Sequence, residues 1–291
     1  MSYNLNNLQT YTDSLSFELI SKAVLQTNVM DYATIRSGLK FGQTTINLLD
    51  SANIGVNDRA CGWGADGTLD YSTVLIDMEE KQIKQSLCPT LLRDYYLANQ
   101  LSASAGAEEV PFEEVTVNFF IEKIRNWNET YLGGEILADV TVVAGAADSG
   151  QTVASTASTI VDDVMNLIDA VDPAVLGRDD LGVIMSPAYF NMLRRALIAQ
   201  NLFHFDPSSN SNNELTMPGT DFKVIKSSGF TGAGFVAGPL KDIIIGVGLE
   251  DDFDTMKVFY SQDNDEVRVM AMWRLGLGIV DVTKWAKNGV L

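Results

Sequence analysis

A single histidine, His204, must carry any reaction in this chain that needs an imidazole. Serine triads and most zinc sites pass through that side chain, because it is the base or ligand they share. Its neighbours are Phe203, Phe205 and Asp206, followed by the run Ser208 to Asn213 of serine and asparagine. A hydrolase would use Ser208 or Ser209, yet neither sits in the strained strand-to-helix turn that exposes an activated serine. A packed or loop histidine is the expectation. The second candidate, Gly62-Trp63-Gly64-Ala65-Asp66-Gly67, fits the dinucleotide-binding pattern letter for letter. That pattern needs a strand before it and a helix after it, so that phosphate meets a helix N-terminus. A polar hairpin arm precedes it here and another strand follows, so Gly62 to Gly67 reads as a loop tip. Gly232-Ala233-Gly234 fails the same test. The acidic run Glu250, Asp251, Asp252 and Asp254 lacks the glycine and closing glutamate of a calcium-binding EF-hand loop and reads as a solvated turn. Asn128-Glu129-Thr130 matches a glycosylation sequon but falls inside a helical stretch. No catalytic, cofactor-binding or metal-binding residue is assigned, and the expectation is a protein that is not an enzyme and holds no cofactor.

Bulk properties narrow the classes further. The 291 residues carry 38 acidic and 20 basic side chains, a formal net charge of -18. A field of that sign repels phosphate backbones and argues against tight DNA binding. The basic residues are dispersed; Lys81 with Lys84 and Arg194 with Arg195 read as solvated faces. Two cysteines, Cys61 and Cys88, allow one bridge at most. The first residues lack a basic leader, and no apolar run approaches membrane-spanning length. The expectation is a soluble chain folding in a reducing cytoplasm.

The elements that would position these residues follow from periodicity. Residues 1–12 are polar and read as an arm; Leu15, Leu19, Ala23, Val24 and Thr27 recur at helical spacing behind Asp13 or Ser14 as cap. Phe41 to Leu49 and Leu69 to Met78 read as strands flanking the polar segment Asp50 to Thr68, which makes a long hairpin. Thr44, Asn47, Asp70, Ser72 and Asp77 interrupt its apolar faces. Such a hairpin is marginal alone and is expected to project toward a neighbour. Pro89 opens a short helix with Leu91, Leu92, Tyr95 and Tyr96. A long helix starts at Pro111, with Glu113 and Glu114 in its first turn. Val117, Phe120, Ile124, Trp127 and Tyr131 supply its core face, with Phe119 read as core too. Glu122, Lys123, Arg125 and Glu129 supply the solvated face, and Gly133-Gly134 its end. Ile160 to Val171 reads as a helix stopped by Asp172-Pro173. Val183 to Met185 reads as a buried strand before a helix opened by Ser186-Pro187. Phe222 to Ile225 and Asp242 to Val247 read as strands. Met256 to Tyr260 and Val267 to Trp273 form a second hairpin, and Leu277 to Val282 a last strand. The fold class is α+β.

This order of elements resembles the major capsid proteins of tailed bacteriophages, the Hong Kong 97-type fold, which herpesvirus capsid floors and encapsulin shells share. Phe119 to Ile124 through Gly133-Gly134 looks like the family's spine helix. Gly182 to Tyr189 looks like the strand-then-helix of its axial domain, and Val267 to Gly276 with Gly278 to Val280 like its closing strands. Leu87-Cys88-Pro89 with Leu92 to Tyr96 is similar to capsid proteins of phages infecting Bacteroidetes, including the crAss-like group.

The resemblance implies an N-terminal arm and short helix over 1–38 and an extended loop over 39–86. It implies a peripheral domain over 87–137 and 255–276, and an axial domain over 138–254 and 277–291. It implies a shell of pentamers and hexamers of this chain, made in the host bacterial cytoplasm and found in the virion capsid. Portal, scaffolding and decoration proteins would be partners, DNA would be enclosed without specific recognition, and no membrane is involved. Two alternatives remain: an encapsulin-type nanocompartment shell, and an enzyme using His204 or the Gly62 to Gly67 loop. Some family members cross-link neighbours through a lysine near the loop tip. Asp50 to Thr68 contains Arg59 and no lysine, so a shell held by non-covalent contacts is expected. The chain also lacks a long charged helical prefix, which implies separate scaffolding or a prefix already removed.

Overall fold

A computed structural model describes residues 27–39, 42–54, 67–87, 112–142, 146–151, 153–200, 214–230, 232, 234–248, 255–261 and 266–288. Two mixed six-stranded sheets organise them. In the first, β1 (Thr34–Ser37), β9 (Ile243–Val247), β11 (Glu266–Ile279), β3 (Gly67–Leu87) and β2 (Gly42–Ile54) lie in that spatial order, and β10 (Thr255–Ser261) pairs with β11. Only β1 and β9 run parallel; the other ladders of this sheet are antiparallel. In the second, the order is β4 (Ala147–Asp148), β12 (Ala286–Lys287), β8 (Phe235–Pro239), β5 (Leu181–Met185), β7 (Lys223–Lys226) and β6 (Glu214–Thr216). The class is α+β, as the sequence implies.

The long helix α1 (Phe112–Val142) lies on the first sheet. Its 31 residues span about 46 Å. Val117, Phe120, Ile121, Ile124, Leu132, Ile136 and Val140 are buried on it. Facing them, β11 buries every second residue, Val267, Val269, Ala271, Trp273 and Leu275, the alternation of a strand with one covered face. A second core lies where α2 (Ile160–Asp169) and α3 (Pro187–Ala199) pack with the second sheet. Asp172 caps the 3-10 turn Pro173–Val175, and Ser186 caps α3 through Tyr189 N–H. The stop at Asp172-Pro173 and the start at Ser186-Pro187 were both legible in the sequence.

Several expectations change. Helix α1 does not end at Gly133-Gly134; it runs eight residues past that pair to Val142, and neither glycine has a positive φ. Gly133 is instead a crossing point. A Cβ there would lie 2.6 Å from Ser227 Oγ and 2.7 Å from Gly229 Cα. The core stripe of α1 passes through Asn128 and Leu132, not Trp127 and Tyr131, so Phe119 and Trp127 are exposed at 45% and 41%. Glu129 is buried, not solvated. Leu277 to Val282 is no separate strand, because β11 continues unbroken to Ile279. Strands β1 and β8 were not expected at all.

Candidate assembly surfaces

The candidate assembly element is the β2–β3 hairpin. Its ladder runs antiparallel from Gly42 opposite Met78 to Ile54 opposite Gly67, with a bulge between Asp50 and Asn53. β3 is 21 residues long, about 70 Å of strand. Its Asp77–Leu87 half pairs with β11 from Leu277 to Val267, and of that half only Asp77 and Met78 also pair with β2. Toward the tip, Gly67–Thr73 pairs among the described residues with β2 alone, about 23 Å of two-stranded ladder.

The root of the hairpin is built for a close seat. Val74, Ile76 and Met78 are buried with Ile244, against Leu39 and Val280. A Cβ at Gly276 would lie 2.5 Å from the Asp77 carbonyl oxygen and 2.8 Å from Met78 Sδ. Glycine at this position lets β11 pass directly under the root. Alternate residues that continue the Val74, Ile76, Met78 row toward the tip are Ser72, Asp70 and Thr68. By sequence that row is apolar only as far as Val74, while the other row runs from Leu75, 49% exposed, through Thr73 and Tyr71 to Leu69. Two strands without a third partner or an apolar face are marginal in water.

Beside the root, an aromatic cluster joins β3 to α1. Trp127 stacks on Tyr131 with centroids 5.2 Å apart and meets Trp273 edge-on at 5.9 Å. Lys81 Nζ lies 4.3 Å from the Tyr131 ring centroid and pairs with Glu79, which also accepts the Tyr131 hydroxyl at 3.1 Å. Those two hydrogen bonds hold the Glu79 carboxyl below the usual carboxylate range. Burial, then the charges of Glu135 and Glu79, push the Tyr131 hydroxyl up. Lys81 is thus a structural clasp, not the freely solvated charge expected. The Trp273 indole donates to Asn128 Oδ1 at 3.0 Å in the buried seam. That burial also removes Asn128 from reach of glycosylation.

A second clasp joins the two sheets. Arg178 donates to Asp180 at 2.8 and 2.6 Å and to Asp242 at 3.2 and 2.8 Å. Asp242 closes the turn Leu240–Asp242 that carries the chain from β8 in one sheet to β9 in the other. Sequence reading missed this triad, because Arg178 and Asp242 are 64 residues apart.

The residues weighed for catalysis fall largely outside this picture. His204, Ser208, Ser209, Gly62 to Asp66, Cys61, Cys88, Arg59 and the Glu250 to Asp254 run lie outside the described residues, as do the expected helices after Asp13 and Pro89. Gly67 opens strand β3, so no helix follows the glycine pattern. Among the described residues, no three His, Cys, Asp or Glu side chains converge on a metal position. No helix among them is long and apolar enough to cross a membrane.

No protein-family model matches the sequence. No curated protein matches it either. Solved structures do. The chain is similar to a structure from Gordonia phage Cozz, at 12% identity and a TM-score of 0.57 over 91% of this chain and 87% of that one. It is similar to the capsid of an empty GTA particle, at 13% identity and a TM-score of 0.54, over 92% and 89%. It is similar to a virus-like particle from Pyrococcus furiosus, at 11% identity and a TM-score of 0.54, over 96% and 99%. Each likeness spans nearly the whole of both chains, so it is a likeness of the entire architecture. The fold is the Hong Kong 97-type capsid fold.

Proposed function

We propose that this chain is the major capsid protein of a tailed bacteriophage, assembling with copies of itself into the icosahedral shell around the genome. The observation that carries the reading is the β2–β3 ladder, which among the described residues continues beyond the reach of β11 as two strands alone. A shell closes through many modest, symmetric contacts between protomers. A projecting hairpin adds contact area that one subunit cannot bury. The division into arm 1–38, extended loop 39–86, peripheral domain 87–137 with 255–276, and axial domain 138–254 with 277–291 belongs to the same reading. So do a virion location, synthesis in the host cytoplasm, and portal, scaffolding and decoration proteins as partners. The net charge of -18 suits a wall that must not hold packaged DNA tightly. The protein acts by assembly and not by catalysis.

A second reading, an encapsulin-type nanocompartment shell, is favoured by the likeness to the Pyrococcus furiosus virus-like particle over 99% of that chain. Neighbouring genes separate the two: terminase and portal genes accompany a phage capsid, a cargo enzyme an encapsulin. Either shell requires the hairpin. Deleting Ser51–Gly67 is expected to leave the circular-dichroism spectrum of a folded subunit and to abolish fast-sedimenting particles. Particles at wild-type yield from the deletion would overturn the assignment of the hairpin to assembly.

A further inference from the structure

Where β10, β11 and β3 lie side by side, α1 covers one face of the sheet and leaves the other without a helix among the described residues. Residues opposite each other in a ladder share a face. The uncovered face is therefore set by Arg268, Met270 and Met272 of β11, which alternate with the residues buried under α1. Lys84 and Lys257 flank Met270 on its two sides, and Phe259 lies opposite Arg268. Both lysines are exposed, and Phe259 is 38% exposed. The lysines stand two strand spacings apart, about 10 Å. Neither meets a carboxylate among the described residues, whereas Arg268 has Glu266 at 3.7 Å.

This cationic face belongs to a chain of net charge -18. Identical subunits of that charge repel one another, so a close contact between them needs a region of opposite sign. Every copy also carries the acidic counterpart. No Lys or Arg occurs between Arg125 and Arg178, and Asp162 and Asp169 of α2 are exposed. Methionine and phenylalanine between the cations supply adaptable apolar contact, which a polypeptide surface uses and a phosphate backbone does not. Over the seven residues of β10 the face is about 24 Å long and roughly 15 Å wide, on the order of 350 Å². A stable pair buries about 800 Å² on each partner, so this face suits one of several modest contacts. Cations cannot face the same cations, so the contact joins unlike surfaces and runs from copy to copy instead of closing a two-fold dimer. We propose that the uncovered face of β10, β11 and β3 is an interface between copies of this chain. Lys84 and Lys257 bind carboxylates of the next copy, and Met270, Met272 and Phe259 pack against its apolar atoms. The inference rests on the shell-forming reading and assigns one of the contacts that the shell requires.

The test assembles particles from equal amounts of unlabelled and isotope-labelled full chain. They are treated with a carbodiimide, which joins a lysine only to a carboxylate in contact with it, and the linked peptides are read by mass spectrometry. Lys84 or Lys257 is expected to be joined to an aspartate or glutamate in peptides of mixed isotope, which come from two copies. The double variant Lys84→Gln, Lys257→Gln is expected to raise the concentration needed for particle formation roughly tenfold. Lys84→Arg with Lys257→Arg is expected to keep the wild-type threshold, and both variants the wild-type circular-dichroism spectrum. Links from these lysines only within one copy, no links from them at all, or a wild-type threshold in the glutamine variant would each overturn the proposal and leave the shell reading standing. Duplex DNA bound by the unassembled subunit and released by the glutamine substitutions would assign the face to nucleic acid and overturn it as well. Wild-type chain that forms no particles would overturn the shell reading, and this interface with it.

Discussion

Two adjacent glycines should respond to the same substitution with opposite signs. Gly133 and Gly134 both lie inside α1, where replacing glycine by alanine gains up to about 1 kcal/mol of helix propensity. At Gly134 an added Cβ meets nothing within 4 Å, so Gly134→Ala is expected to stabilise by about 0.5–1 kcal/mol. At Gly133 it would press on Gly229 Cα at 2.7 Å and Ser227 Oγ at 2.6 Å. The hydroxyl can rotate away, but the backbone of Gly229 cannot, since its own approach to Gly133 Cα is as tight. Overpacking of this kind costs about 1–3 kcal/mol, which outweighs the propensity gain. Gly133→Ala is therefore expected to lose about 1–2 kcal/mol net. Urea unfolding of unassembled subunits reads both. With an m-value of about 3 kcal/mol/M, the midpoint should rise by roughly 0.3 M for Gly134→Ala and fall by roughly 0.5 M for Gly133→Ala. If the pair ended the helix, as left-handed caps do, both substitutions would destabilise. Equal shifts, or a more stable Gly133→Ala, would refute the crossing.

Two further outcomes concern charge. Burial first, and then the charge of Glu135, push the Asp139 carboxyl up to about 6. Folding thus penalises its ionised form; the penalty is absent below about pH 4 and complete above about pH 6. Asp139→Asn should leave the urea midpoint unchanged at pH 4 and stabilise at pH 8 by about 1 kcal/mol, a value discounted for solvent screening. At the junction of the sheets, the Asp180 and Asp242 side chains are only 11% and 12% exposed. Arg178→Met leaves both without their cation and should cost about 2–3 kcal/mol at pH 7, measured by denaturation. The Arg178 hydrogen bonds hold the Asp180 carboxyl below its usual range, so their contribution is present at neutral pH and lost on acidification through that range. The difference between Arg178→Met and wild type should therefore shrink toward pH 3; a constant difference would count against the triad.

What the sequence discloses here is local. The caps at Asp172 and Ser186, the alternation in β11 and the antiparallel β2–β3 pairing rest on neighbours a few residues apart, and all were legible. Features set by distant chain crossings were not. Glu129 looks like a solvated helix residue until the Val29 turn and the Ser227–Gly229 segment cover it. Gly133 looks like a helix end for the same reason. Strand β1 is four residues long with a mostly exposed pattern, and only its parallel pairing with β9 makes it a strand. Strand β8, Phe235–Pro239, is fully buried, and its apolar run between Gly234 and Leu240 was a usable signal. Trp127 was misplaced because steps of three and four residues fit two adjacent stripes of one helix. The Asn128–Trp273 bond decides between them.

The most direct test of shell formation is cryo-electron microscopy of particles formed by the expressed chain. Hollow icosahedral particles are expected, with the β2–β3 hairpin of each subunit lying on a neighbour. A monodisperse, compact monomer under those conditions, or particles whose hairpins contact only their own subunit, would contradict it.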